Sequence, residues 1–136
     1  MRAAVIYFAD KRRAELESFS KSVAKGLEAQ GHSVDVFNAK DFNRKLAIYQ
    51  FAVIGTESCG TFGGKIPEGF SKYLESIGPV ISLHSFAFIV KKGLRCEKSL
   101  QVMMKNMESE GMFVVYSDVL ENEAAAEAAS KKLIIK

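Results

Sequence analysis

The chain reads as an α/β protein: a five-stranded parallel sheet with helices on both faces. Three observations predict this. Short, continuous apolar runs such as AAVIYF at residues 3–8 alternate with segments whose apolar residues recur every three or four positions. Several of those runs lack the apolar-polar alternation of a half-exposed sheet, so both faces of the central strands are covered. Residues 51–70, FAVIGTESCGTFGGKIPEGF, join one such run to a glycine-rich loop and then a helix, the layout of a ligand crevice beyond a strand's C-terminal end.

Residues 3–8 form the first strand. From Ala14 the spacing turns helical, with Leu16, Phe19, Val23 and Leu27 on one face, and Gly31 punctuates the helix end. Val34 and Val36 alternate with Ser33 and Asp35, which predicts a less buried strand nearer the sheet edge. Residues 42–46 read as a connector. Phe51, Ala52, Val53 and Ile54 make the third strand, which ends at Gly55-Thr56. After Gly60, Gly63 and Gly64, Pro67 is placed as a first-turn residue of a helix running to about Ser76. Its apolar face is Phe70, Tyr73, Leu74 and Ile77, and Gly78-Pro79 stops it. FAFIV at residues 86–90 is the fourth strand, followed by Lys91-Lys92-Gly93 and a helix carrying Leu100, Met103, Met104 and Met107. Their helical spacing assigns the methionines to core packing. Gly111 closes that helix, residues 112–116 form the fifth strand, and the alanine-rich residues 121–133 form the last helix. Parallel pairing with right-handed crossovers follows, and the loops starting at Ala9, Gly55 and Lys91 face one crevice.

Composition narrows the function. A length of 136 residues suits one domain spanning 1–136. No apolar run approaches the roughly 20 residues of a membrane span, and MRAAVIYFAD is too short and too soon charged for a secretory signal. A cytoplasmic protein with no membrane partner is expected. Cys59, Cys96 and two distant histidines offer no metal-ligand spacing, so no metal centre is expected. Net charge is +3, with no dense basic cluster beyond Lys11-Arg12-Arg13, which argues against a nucleic-acid partner. His32 reads as a solvated turn residue. His84 falls at the N-terminal edge of the sheet, away from the ligand end.

Val53-Ile54-Gly55-Thr56 followed by Phe62-Gly63-Gly64-Lys65-Ile66-Pro67, with Tyr73-Leu74 in the helix behind, resembles the second flavin-contacting loop of the short-chain flavodoxins. The order of elements is similar over the whole chain. The resemblance implies a three-layer flavodoxin-like fold with strand order 2-1-3-4-5 and FMN as cofactor. The FMN ring would be held between the second and third loops and its phosphate by the first. Electron exchange with a redox partner protein would come from the flavin, with no catalytic side chain. The cofactor contacts it implies are Asp10, Lys11, Arg12 and Arg13 in the first loop. In the second loop they are Thr56, Glu57, Ser58, Cys59, Gly60, Thr61, Phe62 and Gly63, and in the third Lys91, Lys92 and Gly93.

The first loop departs from the family pattern Ser/Thr-x-Thr-Gly-x-Thr, reading Ala9-Asp10-Lys11-Arg12-Arg13-Ala14 instead. Two readings follow. Asp10 caps the helix, fills its free N–H groups and repels a phosphate, or Lys11 to Arg13 attract one. Phe62, the one aromatic of the ring-facing loops, either stacks on a flavin or tucks under the helix. A pI of 8.8 is unlike that of acidic flavodoxins and favours differently charged partners. Cys59 and Cys96 are either small buried hydrophobes or a thiol pair at one rim, with Cys96 activated by the helix N-terminus. Two functions are therefore open. One is an FMN-binding electron-transfer protein or small flavin-dependent reductase. The other is a flavodoxin-like domain that has lost FMN and serves as a binding or regulatory module through the same rim.

Overall fold

A computed structural model of the protein describes residues 1–42 and 45–135. Strands and helices alternate as β1 (Arg2–Tyr7), α1 (Arg13–Glu28), β2 (Ser33–Asn38), β3 (Phe51–Glu57), α2 (Phe70–Ile77), β4 (His84–Val90), α3 (Cys96–Ser109), β5 (Phe113–Leu120) and α4 (Glu123–Lys131). All strand pairs are parallel and the spatial order is β2-β1-β3-β4-β5, as expected from the sequence.

Side chains alternate across the sheet with period two, and the two faces are buried by different helices. Val5, Phe51, Val53, Phe86 and Phe88 pack with Leu16, Phe19, Val23 and Leu27 of α1 and with Ala126 and Ala129 of α4. Ile6, Ala52, Ile54, Ala87 and Ile89 pack with Leu74 and Ile77 of α2 and with Met103 and Met107 of α3. Each Val, Leu, Ile, Phe or Met among them contributes about 1.5–3 kcal/mol on burial. Met103 and Met107 are fully buried and Met104 is partly buried against the same cluster, in keeping with core packing. At Gly26 a Cβ would overlap Ser130 Oγ and lie 2.7 Å from the Glu127 carbonyl oxygen, so glycine is what lets α1 and α4 meet this closely.

Several boundaries differ from the sequence reading. β3 does not end at Gly55 but continues through Thr56 and Glu57, both buried and both paired with β4. Pro67 lies outside α2, which starts at Phe70 after Gly69 turns the chain with φ 86°. β5 runs on to Leu120, because an edge strand tolerates polar Ser117 and Asp118. α4 starts at Glu123, where the Asn122 side chain accepts from Ala125 N–H. Of the connector read at residues 42–46, Phe42 and Leu46 are buried core residues, and residues 43 and 44 lie outside the described residues. β2 is the half-buried edge strand expected. His84 is the first residue of β4, its ring centroid 5.3 Å from that of Phe113. No helix among the described residues is long and apolar enough to cross a membrane.

Candidate functional site

The site lies where β1 and β3 end side by side. Phe8 N–H donates to the Gly55 carbonyl at 2.8 Å, and the buried Thr56 Oγ1 donates to the Phe8 carbonyl at 2.6 Å. These two bonds fix the start of the first loop against β3. Strand alternation carries Glu57 to the same face as Phe51 and Val53, beneath the N-terminus of α1. There its carboxylate accepts from three consecutive backbone N–H groups. Asp10 donates to Oε2 at 2.8 Å, Lys11 to both oxygens at 3.1 Å, and Arg12 to Oε2 at 3.0 Å. Glu57 is only 2% exposed.

A helix N-terminus leaves its first N–H groups without intrahelical partners and carries partial positive charge, and successive N–H groups aimed at one point form an anion nest. In this chain the anion is an internal carboxylate. Bonds to an ionised acceptor are among the strong ones, and the acceptor side is almost wholly shielded from water. The sequence reading anticipated a carboxylate on these N–H groups but assigned it to the wrong residue. Arg12 is the N-cap of α1 and makes no side-chain cap bond, while Asp10 is exposed and contributes its backbone N–H. Arg13 is the first residue of α1, 3.6 Å from Glu17, and Arg12 pairs with Glu15 at 3.2 Å.

The second loop is a closed hairpin pinned to α3. Cys59 N–H donates to the Lys65 carbonyl at 2.8 Å and Gly63 N–H to the Gly60 carbonyl at 3.1 Å. Ser99 Oγ also donates to the Lys65 carbonyl at 2.8 Å, which leaves it to accept from Ser58 Oγ at 2.8 Å. Gly63 has φ 71° and sits so close to the third loop that a Cβ would overlap the Leu94 carbonyl oxygen. Phe62 is 71% exposed, so it is not tucked under a helix. Thr61 and Gly60 are exposed beside it. In the third loop Lys91 pairs with Glu121 at 3.1 Å and Lys92 with Glu15 at 3.7 Å, and Gly93 is exposed.

Both cysteines are free, and they bond to different groups. Cys59 Sγ lies 4.0 Å from Asp10 Oδ2, and burial together with the Glu57 and Asp10 carboxylates pushes its thiol up to about 11. Such a thiol stays protonated and a poor nucleophile at neutral pH. Cys96 is buried, its Sγ donating to the Lys92 carbonyl at 3.2 Å. Ligand atoms of Asp10, Glu57 and Cys59 lie within 4.8 Å of one another, but the Glu57 oxygens face N–H donors whose positive ends oppose a cation.

Two clefts flank the nest. One of about 430 Å³ has Phe8, Ala9, Ile66 and Pro67 among its walls, and the other, of about 400 Å³, lies between residues 10–12 and 57–61. A third cleft, of about 330 Å³, lies at the opposite end of the sheet against Tyr49, Val80 and His84, away from these loops.

This arrangement does not fit FMN. The donors that would hold its phosphate are engaged by Glu57, and a phosphate dianion would meet a buried negative charge. The two loops that would hold its ring touch each other at Gly63 and Leu94. The fifteen cofactor contacts implied by resemblance all lie on or beside the three loops at one rim of the sheet, around a cleft whose backbone N–H donors at residues 10–12 are taken by Glu57. The role of Glu57 as the nest's anion was missed. Its signal in the sequence is a period-two continuation from Phe51 and Val53 through Gly55, ending in a carboxylate opposite a loop without hydroxyls.

No family model matches the sequence, and no curated protein matches it. Solved structures do match. A flavodoxin from the domain Archaea superposes with a TM-score of 0.71 at 14% identity, covering 96% of this chain and 94% of the other. Flavodoxin 1 of Bacillus cereus gives 0.68 at 13%, covering 94% of each chain. A flavodoxin, WrbA-like protein from Agrobacterium tumefaciens gives 0.67 at 17%, covering 96% of this chain and 90% of the other. The fold is therefore flavodoxin-like.

Proposed function

We propose that this chain is a flavodoxin-like domain that holds no FMN and works as a binding or regulatory module through the C-terminal rim of its sheet. The observation that carries the reading is the Glu57 carboxylate on the N–H groups of Asp10, Lys11 and Arg12. Admitting a phosphate would require expelling a carboxylate that is buried and held by charge-assisted bonds, and stranding it without partners would cost several kcal/mol. The contact of Gly63 with Leu94 supports the same reading at the place of the ring.

In this reading the site residues divide into two sets. Asp10, Lys11, Arg12 and Glu57 form a closed nest that rigidifies the rim, helped by Thr56, Ser58 and Cys59. Thr61, Phe62, Lys91, Lys92 and Gly93 are exposed and face a partner. No side chain is assigned a catalytic role.

The second reading is an FMN-binding electron carrier or small flavin-dependent reductase with a redox partner protein. It draws support from the fold likeness and from Phe62, whose exposed ring could stack on a flavin. A titration separates the two. FMN fluorescence followed during addition of the protein should show no saturable quenching, and the purified protein should be colourless. Saturable quenching at micromolar concentration would replace the module with the carrier.

A further inference from the structure

The closed nest leaves exposed apolar and cationic groups around it with no internal role. Phe62 is 71% exposed and Leu94 63% exposed, and they sit on the two loops that touch at Gly63. Lys65, Arg95 and Lys98 stand on or beside these loops and Lys11 on the neighbouring first loop, all exposed. Other rim cations, Lys91 and Lys92 of the partner face among them, already have carboxylate partners: Arg12 and Lys92 with Glu15, Arg13 with Glu17, Lys91 with Glu121. Lys11, Lys65, Arg95 and Lys98 have no carboxylate within 4.0 Å among the described residues. Three of them, Lys65, Arg95 and Lys98, border the second loop's glycines. A Cβ at Gly64 would lie 3.3 Å from Lys98 Cγ and 3.5 Å from Arg95 Cζ, and one at Gly60 would lie 3.3 Å from Lys65 Cδ.

We propose that this patch docks an acidic protein segment carrying an apolar anchor, with Phe62 and Leu94 receiving the anchor and Lys11, Lys65, Arg95 and Lys98 receiving the carboxylates. The inference rests on the module reading above and names the kind of partner. An exposed aromatic and an exposed leucine on two touching loops are the material of an interface centre, and cations without a carboxylate partner supply steering and register. The nest fixes the first loop and the Ser58–Ser99–Lys65 bonds fix the second, so the partner meets a surface already ordered and little entropy is lost on binding. A nucleic acid suits the patch less well. Asp10, Glu68 and Glu97 are exposed on the same rim and would oppose an unbroken phosphate backbone, whereas a segment with spaced carboxylates can avoid them.

The test is an amide-resolved NMR titration of the full chain with a short synthetic peptide alternating glutamate with leucine and phenylalanine. A lysine counterpart, a DNA duplex and FMN are titrated in parallel. The expected result is saturable shifts centred on residues 60–65 and 93–98, weakening as salt rises. Phe62→Ser should weaken binding about thirtyfold if Phe62 is the anchor, and Lys65→Glu with Lys98→Glu about tenfold or more. Both changes are at exposed positions and leave the core intact. The proposal is overturned if the acidic peptide shows no saturation at about 1 mM, if its shifts centre elsewhere, or if the lysine peptide or the duplex binds more tightly. FMN shifting the amides of residues 10–13 would instead overturn the module reading, so the two failures are distinguishable.

Discussion

At the scale of single residues, Glu57 decides what the rim can hold. Replacing it by alanine leaves three part-buried N–H donors without their carboxylate, so Glu57→Ala should lower stability by about 1–3 kcal/mol, read from urea unfolding. A loss below about 0.5 kcal/mol, the level of a neutral surface change, would mean the carboxylate is not the nest's partner. Cys59 provides a second check in the same place. Its thiol ionises at about 11 in the folded protein against an ordinary 9.0, because of burial and the neighbouring Glu57 and Asp10 carboxylates. The unfolded chain therefore releases this proton first, and the contribution of Cys59 to stability falls as pH rises from 9 to 11. Iodoacetamide modification of Cys59 in a Cys96→Ala background should accelerate around pH 11, and acceleration near pH 8 would contradict this environment. None of this was legible locally. Glu57 lies 47 positions from Asp10 in the sequence, and a carboxylate after Gly55-Thr56 reads as the end of a strand. Only its period-two phase with Phe51 and Val53 hinted at which way it points.

At the scale of elements, the buried strands were legible because strands covered on both faces must be apolar throughout, as in AAVIYF and FAFIV. Their ends were not. β5 extends past Tyr116 because an edge strand accepts Ser117 and Asp118, and α2 starts late because Gly69, not Pro67, sets the turn. The helix pair α1 and α4 depends on a single small residue whose role no periodicity reveals. Gly26→Ala would drive a methyl into Ser130 and toward the Glu127 carbonyl, so the helices must separate. The expected cost is about 1–3 kcal/mol by urea unfolding, against the gain in helix propensity that alanine normally brings. An unchanged or raised midpoint would show that the two helices do not meet as described.

At the scale of the whole molecule, a flavodoxin-like sheet carries an internal carboxylate on the N–H groups beyond β1, with exposed cations on the same rim. The resemblance carried the fold because topology follows from the pattern of apolar runs. It does not by itself carry the ligand, since a phosphate nest is a backbone feature and an internal carboxylate can fill it as an external phosphate does. The most direct test of this account is thermal melting of the native protein and of Glu57→Ala across a series of inorganic phosphate concentrations at constant ionic strength. The account predicts an unchanged midpoint for the native protein and a rising one for Glu57→Ala, by about 2.7 kcal/mol in stability once phosphate reaches a hundredfold excess over its dissociation constant. A native protein that gains stability from phosphate as the variant does would contradict it, because the nest would then be open to an external anion.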